Sequence, residues 1–590
     1  MGRKKMNKPK SVWNLMLQRP FSAVLAVFLV IMQAILTVAE VVVLENFIDN
    51  FSGLYWKQAV LFSILISFIY AFQYIQSPLL GWLNNRACLQ IRTYLDSIII
   101  EKVSRISVAA LENKDNQALL TRLQDKPEKR YINGFFAVLQ ILGGIMGMVG
   151  VLGLVINHVP FFLLVILVLL GLMVVAFRLI GKNKIKLYHA RQEIGRRSDY
   201  LSNLLFERRL AQEKKLFGYT HYIQTLYEEE NINSNKKLFG SIFFANMVIW
   251  VYDNITYLFS ASAYILFLIP LYKGNIDIGL YIAIIPALTR LGAFFVSVGS
   301  NYWPTYKEYQ ACFADINKLN ELPEQYYVHS EVDNTPPMFH VIKGENIVFR
   351  YPGQEKPVLN GMNFAFYAGK NYALVGENGC GKTTLIKLLM GLYKPCSGRI
   401  TIDGEDIQEM SFERLQSFFS AVFQDFNRYY FTIRENIEIS SLGKEKQDSR
   451  LQQAAKEAEI DQWILSCADN YNTKLGNLEE GGIDLSGGQW QRLSIARMLY
   501  RKAGIYIWDE PTAAMDPLAE SRLYTAFFQK RAKQNANIFV THRLGAAVSA
   551  DEICVLEKGR LVEQGTHKQL MENKDGLYYQ MFCAQKGMYE

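Results

Sequence analysis

Cysteine is scarce in this sequence, and its few cysteines lie far apart. Seven are scattered over 590 residues, with no Cys-x-x-Cys pair and no cluster of cysteine and histidine. This argues against a zinc site of the usual spacing and against a disulfide framework. We also expect no cleavable signal peptide. The basic start Arg3-Lys4-Lys5 precedes an apolar run that is too long for a signal sequence and has no small-residue cleavage site.

Long apolar runs are abundant in the first half of the chain. The hydrophobic fraction is 50% and the mean hydropathy is +0.04, although the second half has an ordinary soluble composition. Six runs have the ~20 residues that a helix needs to cross a bilayer. They cover about residues 21–44, 59–83, 134–156, 159–181, 241–271 and 278–302. Six such runs in a row predict an all-α membrane domain, because buried helices of a soluble protein rarely repeat in this way.

Basic residues mark one side of the predicted membrane domain. They crowd the N-terminus and the two long connections, about 84–133 and 182–240, whereas the three short connections carry only Lys57 and Lys273. Basic loops face the cytoplasm, so we expect a cytoplasmic N-terminus and a cytoplasmic second half in a cell membrane, plasma or inner. The net charge of +8 then reflects inner loops rather than nucleic-acid binding.

The two long connections have helical apolar spacing with charged faces at Leu89–Ile106 and Tyr200–Phe217. We expect the spans to continue as helices beyond the membrane and to turn back near 111–118 and 206–217. These turns are natural places to contact the second half of the chain. The predicted domains are a segment 1–20, the membrane domain 21–327, a linker 328–340 and a nucleotide-binding domain 341–590.

Three ionisable residues stand inside predicted spans, where charge is costly and marks functional sites. Asp253 and Arg290 lie in the middle of the fifth and sixth spans, and Glu40 lies in the outer part of the first. One hypothesis is that they line a transport cavity and that Asp253 pairs with Arg290. The alternatives are a structural pair and, for Glu40, a side chain that reaches the membrane surface.

A complete G-x-x-x-x-G-K-T phosphate loop opens the second half. It follows an apolar run and begins a helical one, which is the context that this motif requires. Its backbone amides and Lys382 suit the phosphates of ATP, and the Thr383 hydroxyl suits Mg²⁺. The residues expected to bind nucleotide are Gly376, Glu377, Asn378, Gly379, Cys380, Gly381, Lys382, Thr383 and Thr384.

Short β-like runs alternate with helical stretches from Val341 onward, which predicts an α/β domain with a largely parallel sheet. One apolar run ends in Asp509, expected to hold Mg²⁺ through water, and in Glu510, placed to act as a base. Gln424 follows another run and is positioned for Mg²⁺ or the attacking water. His542 ends a third and is positioned for the γ-phosphate, and Tyr351 before the loop is positioned to stack on adenine.

A second anion-binding motif lies far along the chain from the phosphate loop. Leu485-Ser486-Gly487-Gly488-Gln489 precedes a helix whose N-terminus presents positive potential. One domain binds one γ-phosphate, so two cradles in one chain predict a site that is shared between two subunits. Asp516 follows on a loop suited to the same interface.

In combination these motifs make the chain similar to ATP-binding cassette (ABC) transporters of the exporter-type half-transporter family. The resemblance implies a dimer that sandwiches two ATP molecules, alternating access in the membrane half, and the roles given above for Tyr351, Lys382, Gln424, Ser486, Asp509, Glu510 and His542. Two departures stand out. Cys380 replaces the usual serine, and Ala513-Ala514-Met515-Asp516 replaces Ser-Ala-Leu-Asp.

The cargo is the least defined part of this prediction. Phe423-Gln424-Asp425-Phe426 and the run 211–217 resemble subfamilies that export peptides such as lantibiotics. Lipids, drugs and metabolites remain alternatives, as do an importer with an exporter fold and an ATP-gated channel or regulatory subunit. Glu510 favours turnover over gating. Intact motifs favour a homodimer over a heterodimer, and we expect any peptide cargo to be processed by another protein.

Overall fold

The computed structural model of the chain describes residues 20–156, 171, 197–207, 210–325, 338–441, 447–477, 479–510, 522–523 and 535–586. It divides into two units. The first contains Met1–Ser104 and Gln117–Leu322, and the second contains Arg105–Asn116 and Pro323–Glu590. Part of the first long connection therefore groups with the nucleotide-binding half. Most of the predicted linker 328–340 lies outside the described residues.

Long helices form the first unit, as the apolar runs predict. The helices of this half and of the first connection are α1 Pro20–Ser52, α2 Trp56–Arg105, α3 Val108–Leu111, α4 Lys114–Gln124, α5 Pro127–Ile156, α6 Ala211–Phe217, α7 Thr220–Tyr272, α8 Ile278–Ser297 and α9 Trp303–Glu321. A single π-helical segment, Val298–Tyr302, joins α8 to α9. At 50 residues, α2 is about 75 Å long, far more than the ~30 Å apolar core of a bilayer.

Four helices among the described residues are long and apolar enough to cross a membrane: Phe21–Ser52, Trp56–Arg105, Pro127–Leu154 and Ile278–Glu321. The predicted span 159–181 lies outside the described residues, apart from residue 171. The predicted span 241–271 falls within α7, which contains the shorter apolar stretch Ile242–Ile255. By length and composition, these helices indicate a multi-pass membrane protein.

Glycines on one face of α5 permit close helix packing in the first unit. A Cβ atom at Gly143 would collide with Val30 of α1, and one at Gly150 would collide with Val38. At Gly144 the collision would be with the ring of Phe294 on α8. Such small residues let helix backbones approach closely in a membrane, where no hydrophobic effect drives helices together.

Two sheets form the core of the second unit. The strands are β1 Val341–Phe349, β2 Leu359–Tyr367, β3 Asn371–Gly376, β4 Ser397–Ile402, β5 Glu405–Asp406, β6 Phe419–Val422, β7 Ile505–Asp509, β8 Ala536–Val540, β9 Glu552–Glu557 and β10 Arg560–Gly565. An antiparallel sheet has the order β2-β1-β4-β5, and the main sheet has the order β10-β9-β3-β8-β7-β6. The strands from β9 to β6 are parallel, which agrees with the predicted α/β class.

Short helices flank these sheets. They are α10 Lys382–Leu389, α11 Phe412–Phe418, α12 Ile433–Glu438, α13 Asp448–Glu457, α14 Asp461–Ser466, α15 Gly487–Tyr500, α16 Leu544–Ala547, α17 His567–Glu572 and α18 Leu577–Lys586. Because β3, β8, β7 and β6 are parallel, their carboxyl ends meet at one edge of the sheet. Ligands of open parallel sheets bind at that edge.

Candidate functional site

The phosphate loop connects β3 to α10, as the motif predicts. Gly376 ends the strand at a φ of 150°, and Gly381 at a φ of 109° is the residue before the helix. An added Cβ atom at Gly381 would lie 2.6 Å from Leu359 Cδ2, so both backbone angle and space require glycine there. The amino end of α10 thus points at the position where a phosphate would bind.

Lys382 is bonded to its own loop. Its Nζ atom donates to the carbonyl oxygens of Gly376, at 2.8 Å, and of Glu377, at 3.0 Å. The side chain is buried, so these bonds offset the cost of removing the ammonium from water. The loop therefore holds a phosphate-binding shape, with its cation in place, through its own hydrogen bonds.

Cys380 is buried inside the loop, with its Sγ atom 3.9 Å from Lys382 Nζ. Burial raises the pKa of the thiol, and the Lys382 charge partly opposes this. A raised pKa keeps the thiol protonated and unreactive near neutral pH. The departure from serine at this position therefore places a protonated thiol beside Lys382.

Two oxygen ligands meet beside the loop. The Thr383 hydroxyl donates to Asp509 Oδ1 at 3.3 Å, and Asp509 ends β7 in a buried position. Burial, with the neighbouring Glu510 charge, raises the pKa of Asp509 to about 6, while the bond from Thr383 opposes the rise. Hydroxyl and carboxylate oxygens are the donors that Mg²⁺ prefers. The pair fits the predicted metal position.

Glu510 and His542 form an ion pair at the same edge of the sheet, through Glu510 Oε1 and His542 Nε2. Glu510 has a φ of 50°, an uncommon backbone conformation for a residue with a Cβ atom, and its amide donates to Val540 O at 3.1 Å. Strained backbone of this kind concentrates at functional sites. Gln424 is exposed just beyond β6, the strand next to β7.

Tyr351 lies against the helix that follows the phosphate loop. Its hydroxyl is 3.1 Å from Thr384 Oγ1, and its ring makes an edge contact with Tyr393 at 5.4 Å between centroids. Lys387 Nζ lies 5.7 Å from the Tyr351 ring centroid, in cation–π range. The ring is thus held beside the loop, where stacking on adenine is predicted.

The predicted second cradle forms the start of α15. Ser486 is the N-cap: its Oγ accepts from the Gln489 amide at 3.3 Å, and Gln489 Oε1 accepts from the Ser486 amide at 2.9 Å. This capping box leaves the first amides of the helix, at Gly487 and Gly488, for an external anion. Ser486 is exposed, and no hydrogen bond among the described residues joins this motif to the phosphate loop. Asp516 lies outside the described residues.

The first connection contacts the nucleotide-binding half near the predicted turn at 111–118, but the sequence did not identify the residues that meet there. Glu112, just after α3, accepts a hydrogen bond from the Tyr393 hydroxyl. Val108 and Ala109 of α3 pack against the core of the second unit. The predicted turn at 111–118 contains Glu112, but nothing local pairs it with a tyrosine 281 residues away.

Residues on both sides of α3 hold it in the second unit. The Ser107 amide donates to Pro323 O at 3.1 Å, and the Gln325 amide donates to Arg105 O at 2.7 Å. The Gln325 side chain also donates to Gly391 O at 2.9 Å, beyond the end of α10. The segments 105–107 and 323–325 thus form a short antiparallel strap beside α3.

In the first unit, Arg290 pairs with Glu40 and not with the predicted partner Asp253. Gln73 also donates to Glu40 Oε2, at 3.2 Å. The Glu40 side chain is only 4% exposed, so it does not reach the membrane surface as one alternative supposed. Asp253 Oδ1 is buried without a partner among the described residues. The sequence indicated which residues were unusual, but not how the helices are rotated.

Comparison with known proteins supports this reading of the site. Residues 23–290 match the ABC transporter transmembrane region, and residues 359–513 match the ABC transporter ATPase family model. The subtilin transport ATP-binding protein SpaT of Bacillus subtilis is 26% identical over 92% of this chain and 88% of its own length. The nisin transport ATP-binding protein NisT of Lactococcus lactis is 34% identical, over about half of each chain (52% and 51%).

A solved structure gives the fold. A bacterial Atm1-family ABC exporter with ATP bound matches with a TM-score of 0.80, covering 97% of this chain and 99% of that one, at 23% identity. At that identity the likeness shows the fold alone. Together with the two family models and the ATP-binding geometry, it leads to one conclusion: the chain belongs to the ABC transporters, with a membrane-spanning domain and an ATPase domain that couples ATP hydrolysis to transport.

Proposed function

We propose that two copies of this chain form an exporter in a cell membrane, with the N-terminus and the ATPase domains in the cytoplasm. One observation carries the proposal. Lys382, Asp509, Glu510 and His542 gather at one edge of a sheet, whereas the exposed Ser486 motif has no hydrogen bond to that site within the described chain. One chain supplies the phosphate loop and the residues for Mg²⁺ and the attacking water. The second subunit supplies the Ser486 motif, which completes the site.

Two surfaces support docking between copies. Phe206, Leu216 and Phe217 are exposed near the tip of the second long connection, at 85%, 78% and 67%. The second unit has a cavity of about 300 Å³ whose lining includes Leu392 and Phe423. Exposed apolar clusters of this kind mark interaction sites. In the proposed dimer, the exposed apolar residues of the second long connection in one copy dock in this cavity of the other copy. This contact would couple movement of the ATPase domain to the membrane helices.

Within the shared site, each side chain has a separate role. Thr383 and Asp509, the latter through water, would hold Mg²⁺, and Gln424 would complete its ligands; the ion would neutralise charge on the phosphates. Glu510 accepts a proton from the attacking water, and His542 contacts the γ-phosphate. The Glu510–His542 contact holds the proposed base beside the residue that would contact the γ-phosphate.

Export of a peptide is the direction and cargo that we propose. The two relatives named for subtilin and nisin transport support a peptide cargo, and they match 92% and 52% of this chain. ATP binding closes the dimer and hydrolysis reopens it. The membrane cavity then faces one side and the other in turn, and net transport requires that the solute bind the two states differently.

A complementation experiment tests the shared site. Lys382→Ala disables the phosphate loop, and Gly488→Asp disables the second cradle, so each variant alone should lack ATPase activity. Co-expressed, mixed dimers contain one site in which both parts are wild type. We expect about a quarter of the wild-type rate, because random pairing makes half of the dimers mixed and each has one complete site.

The result separates two-chain from one-chain sites. If every site were built within one chain, mixing the two variants would restore nothing, and the dimer proposal would fail. Lys382→Ala co-expressed with the double variant Lys382→Ala/Gly488→Asp is the matched control, since no wild-type loop is present in that mixture.

A further inference from the structure

Polar side chains cluster within the membrane-crossing part of the first unit. Gln33 and Thr37 lie one turn apart on α1, and Gln76 of α2 is buried. The Gln76 amide donates to Gln33 Oε1 at 3.0 Å and to Leu29 O at 2.9 Å. Polar groups in membrane spans are costly, and they mark solute pathways when they surround a cavity. The Arg290–Glu40 pair belongs to the same polar region.

Gln33, Thr37 and Arg290 border a cavity of about 250 Å³. Its polar lining consists of Gln33, Thr37, Gln140, Arg290, Ser297 and Tyr302. Ser297 and Tyr302 flank and end the π-helical segment, a feature that is frequent at functional sites. Pockets for whole small molecules are about 300–1,000 Å³. This cavity is therefore sized for one end of a larger solute.

Arg290 is the cation among the described residues that line the cavity. Arg290 lines it and is 35% exposed, while its partner Glu40 is 4% exposed and lies outside the lining. Because Gln33 Oε1 already accepts from Gln76, Gln33 offers N–H groups to the cavity. A guanidinium has donors only, and it suits planar carboxylates. A solute group with acceptor oxygens is the best match.

We infer that this cavity binds a carboxylate of the transported solute, such as the C-terminus of a peptide, with Arg290 as its cation. The inference rests on the proposed transport function. Glu40 compensates the Arg290 charge, because an unpaired buried charge is strongly unfavourable. When a carboxylate is bound, Glu40 becomes a like-charged neighbour that weakens binding. A transporter needs that weakness in order to release its solute.

The test compares two forms of one probe on the full chain in lipid nanodiscs. The probe is an N-acetylated tripeptide of leucine, phenylalanine and glycine, made as the free acid and as the C-terminal amide. We expect wild type to bind the acid at least tenfold more tightly than the amide. Arg290→Gln should abolish this preference. Glu40→Gln should increase affinity for the acid severalfold, which loss of a merely structural pair would not do.

Further variants guard against general damage. Gln140→Leu removes a cavity donor without touching the ion pair, and it should weaken acid binding severalfold. Thr289→Val is the matched control on α8: its hydroxyl donates to Ile285 O at 3.0 Å, and it is not among the lining residues. It should leave the preference unchanged. Thermal unfolding of each variant identifies any that do not fold.

Several outcomes would overturn the inference: equal binding of acid and amide, a preference that survives Arg290→Gln, or no Arg290-dependent binding of either the acid or oleate. Oleate serves as a second carboxylate source. If oleate binds in an Arg290-dependent way and the tripeptide does not, the site stands and its carboxylate comes from a lipid. The complementation of Lys382→Ala by Gly488→Asp requires no solute. Its result therefore separates failure of this site from failure of the dimer.

Discussion

The hydroxyl of Tyr393 donates a hydrogen bond to the carboxylate of Glu112, which joins the end of α3 to the aromatic group beside the phosphate loop. Tyr393 is buried and packs edge-on against Tyr351. One aromatic ring thus separates the inner connection from the predicted adenine platform. Burial and the Glu112 bond raise the pKa of Tyr393, so the phenol stays a donor at every physiological pH.

Tyr393→Phe should loosen α3 without disturbing nucleotide binding, because it removes the hydroxyl and keeps the ring. We expect hydrogen–deuterium exchange in residues 108–112 to rise, for a loss of about 0.5–1.5 kcal/mol, the usual worth of one hydrogen bond. Exchange in β3 should not change. Glu112→Gln keeps an acceptor and is the milder control. Unchanged exchange at 108–112 in Tyr393→Phe would show that the contact does not hold the segment.

Glu510→Gln should stop steady ATP hydrolysis, because an amide cannot take the proton of the attacking water. General-base removal typically costs about 10²–10⁴ in rate. An ATP-bound dimer should accumulate, visible by size-exclusion chromatography or electron microscopy. Glu572→Gln makes the same chemical change at an exposed position and should hydrolyse ATP normally. Near-normal turnover in Glu510→Gln would remove the proposed base.

Cys380 should resist alkylation at neutral pH. Its pKa is raised by burial, and the thiolate is the reactive form, so reactivity grows as the pH rises toward that pKa. Iodoacetamide at pH 7.5 should modify the exposed Cys396 much faster, and each added pH unit should speed Cys380 by up to about tenfold. Peptide mass spectrometry measures both sites in one sample. Equal rates at pH 7.5 would contradict the protected thiol.

Lys102→Met should destabilise the membrane unit. Lys102 is 1% exposed, and its Nζ donates to Asn320 O at 2.9 Å and to Leu322 O at 3.1 Å, at the end of α9. Methionine leaves these carbonyls without that donor, at a cost of about 1–3 kcal/mol. Thermal unfolding in detergent should shift to a lower temperature. Lys57→Met, at an exposed position on α2, should not shift it. If Lys102→Met unfolds at the same temperature as wild type, the Lys102 hydrogen bonds do not stabilise the unit.

Local motifs made most of the nucleotide site predictable. The phosphate loop, Ser486 and Asp509 were found because their chemistry depends on the backbone next to them, and that backbone is read from neighbouring residues. Once a parallel sheet was expected, the meeting of Asp509, Glu510 and His542 followed from strand ends sharing an edge.

Contacts between distant helices were not predictable in this way. Hydropathy gives the length of a membrane span but not its rotation, so the sequence could not choose Glu40 over Asp253 as the partner of Arg290. Lys102 was missed for a related reason. A charged residue in an amphipathic helix is normally assigned to the solvent face. The two carbonyl oxygens that accept from Lys102 lie at the end of α9, more than 200 residues away, so the sequence does not show them.

The bonds from Lys382 to the carbonyls of its own loop have a consequence for the capture of ATP. These bonds order the loop, so little conformational entropy opposes the binding of a phosphate. Capture of ATP by this loop therefore requires no folding step of the loop itself.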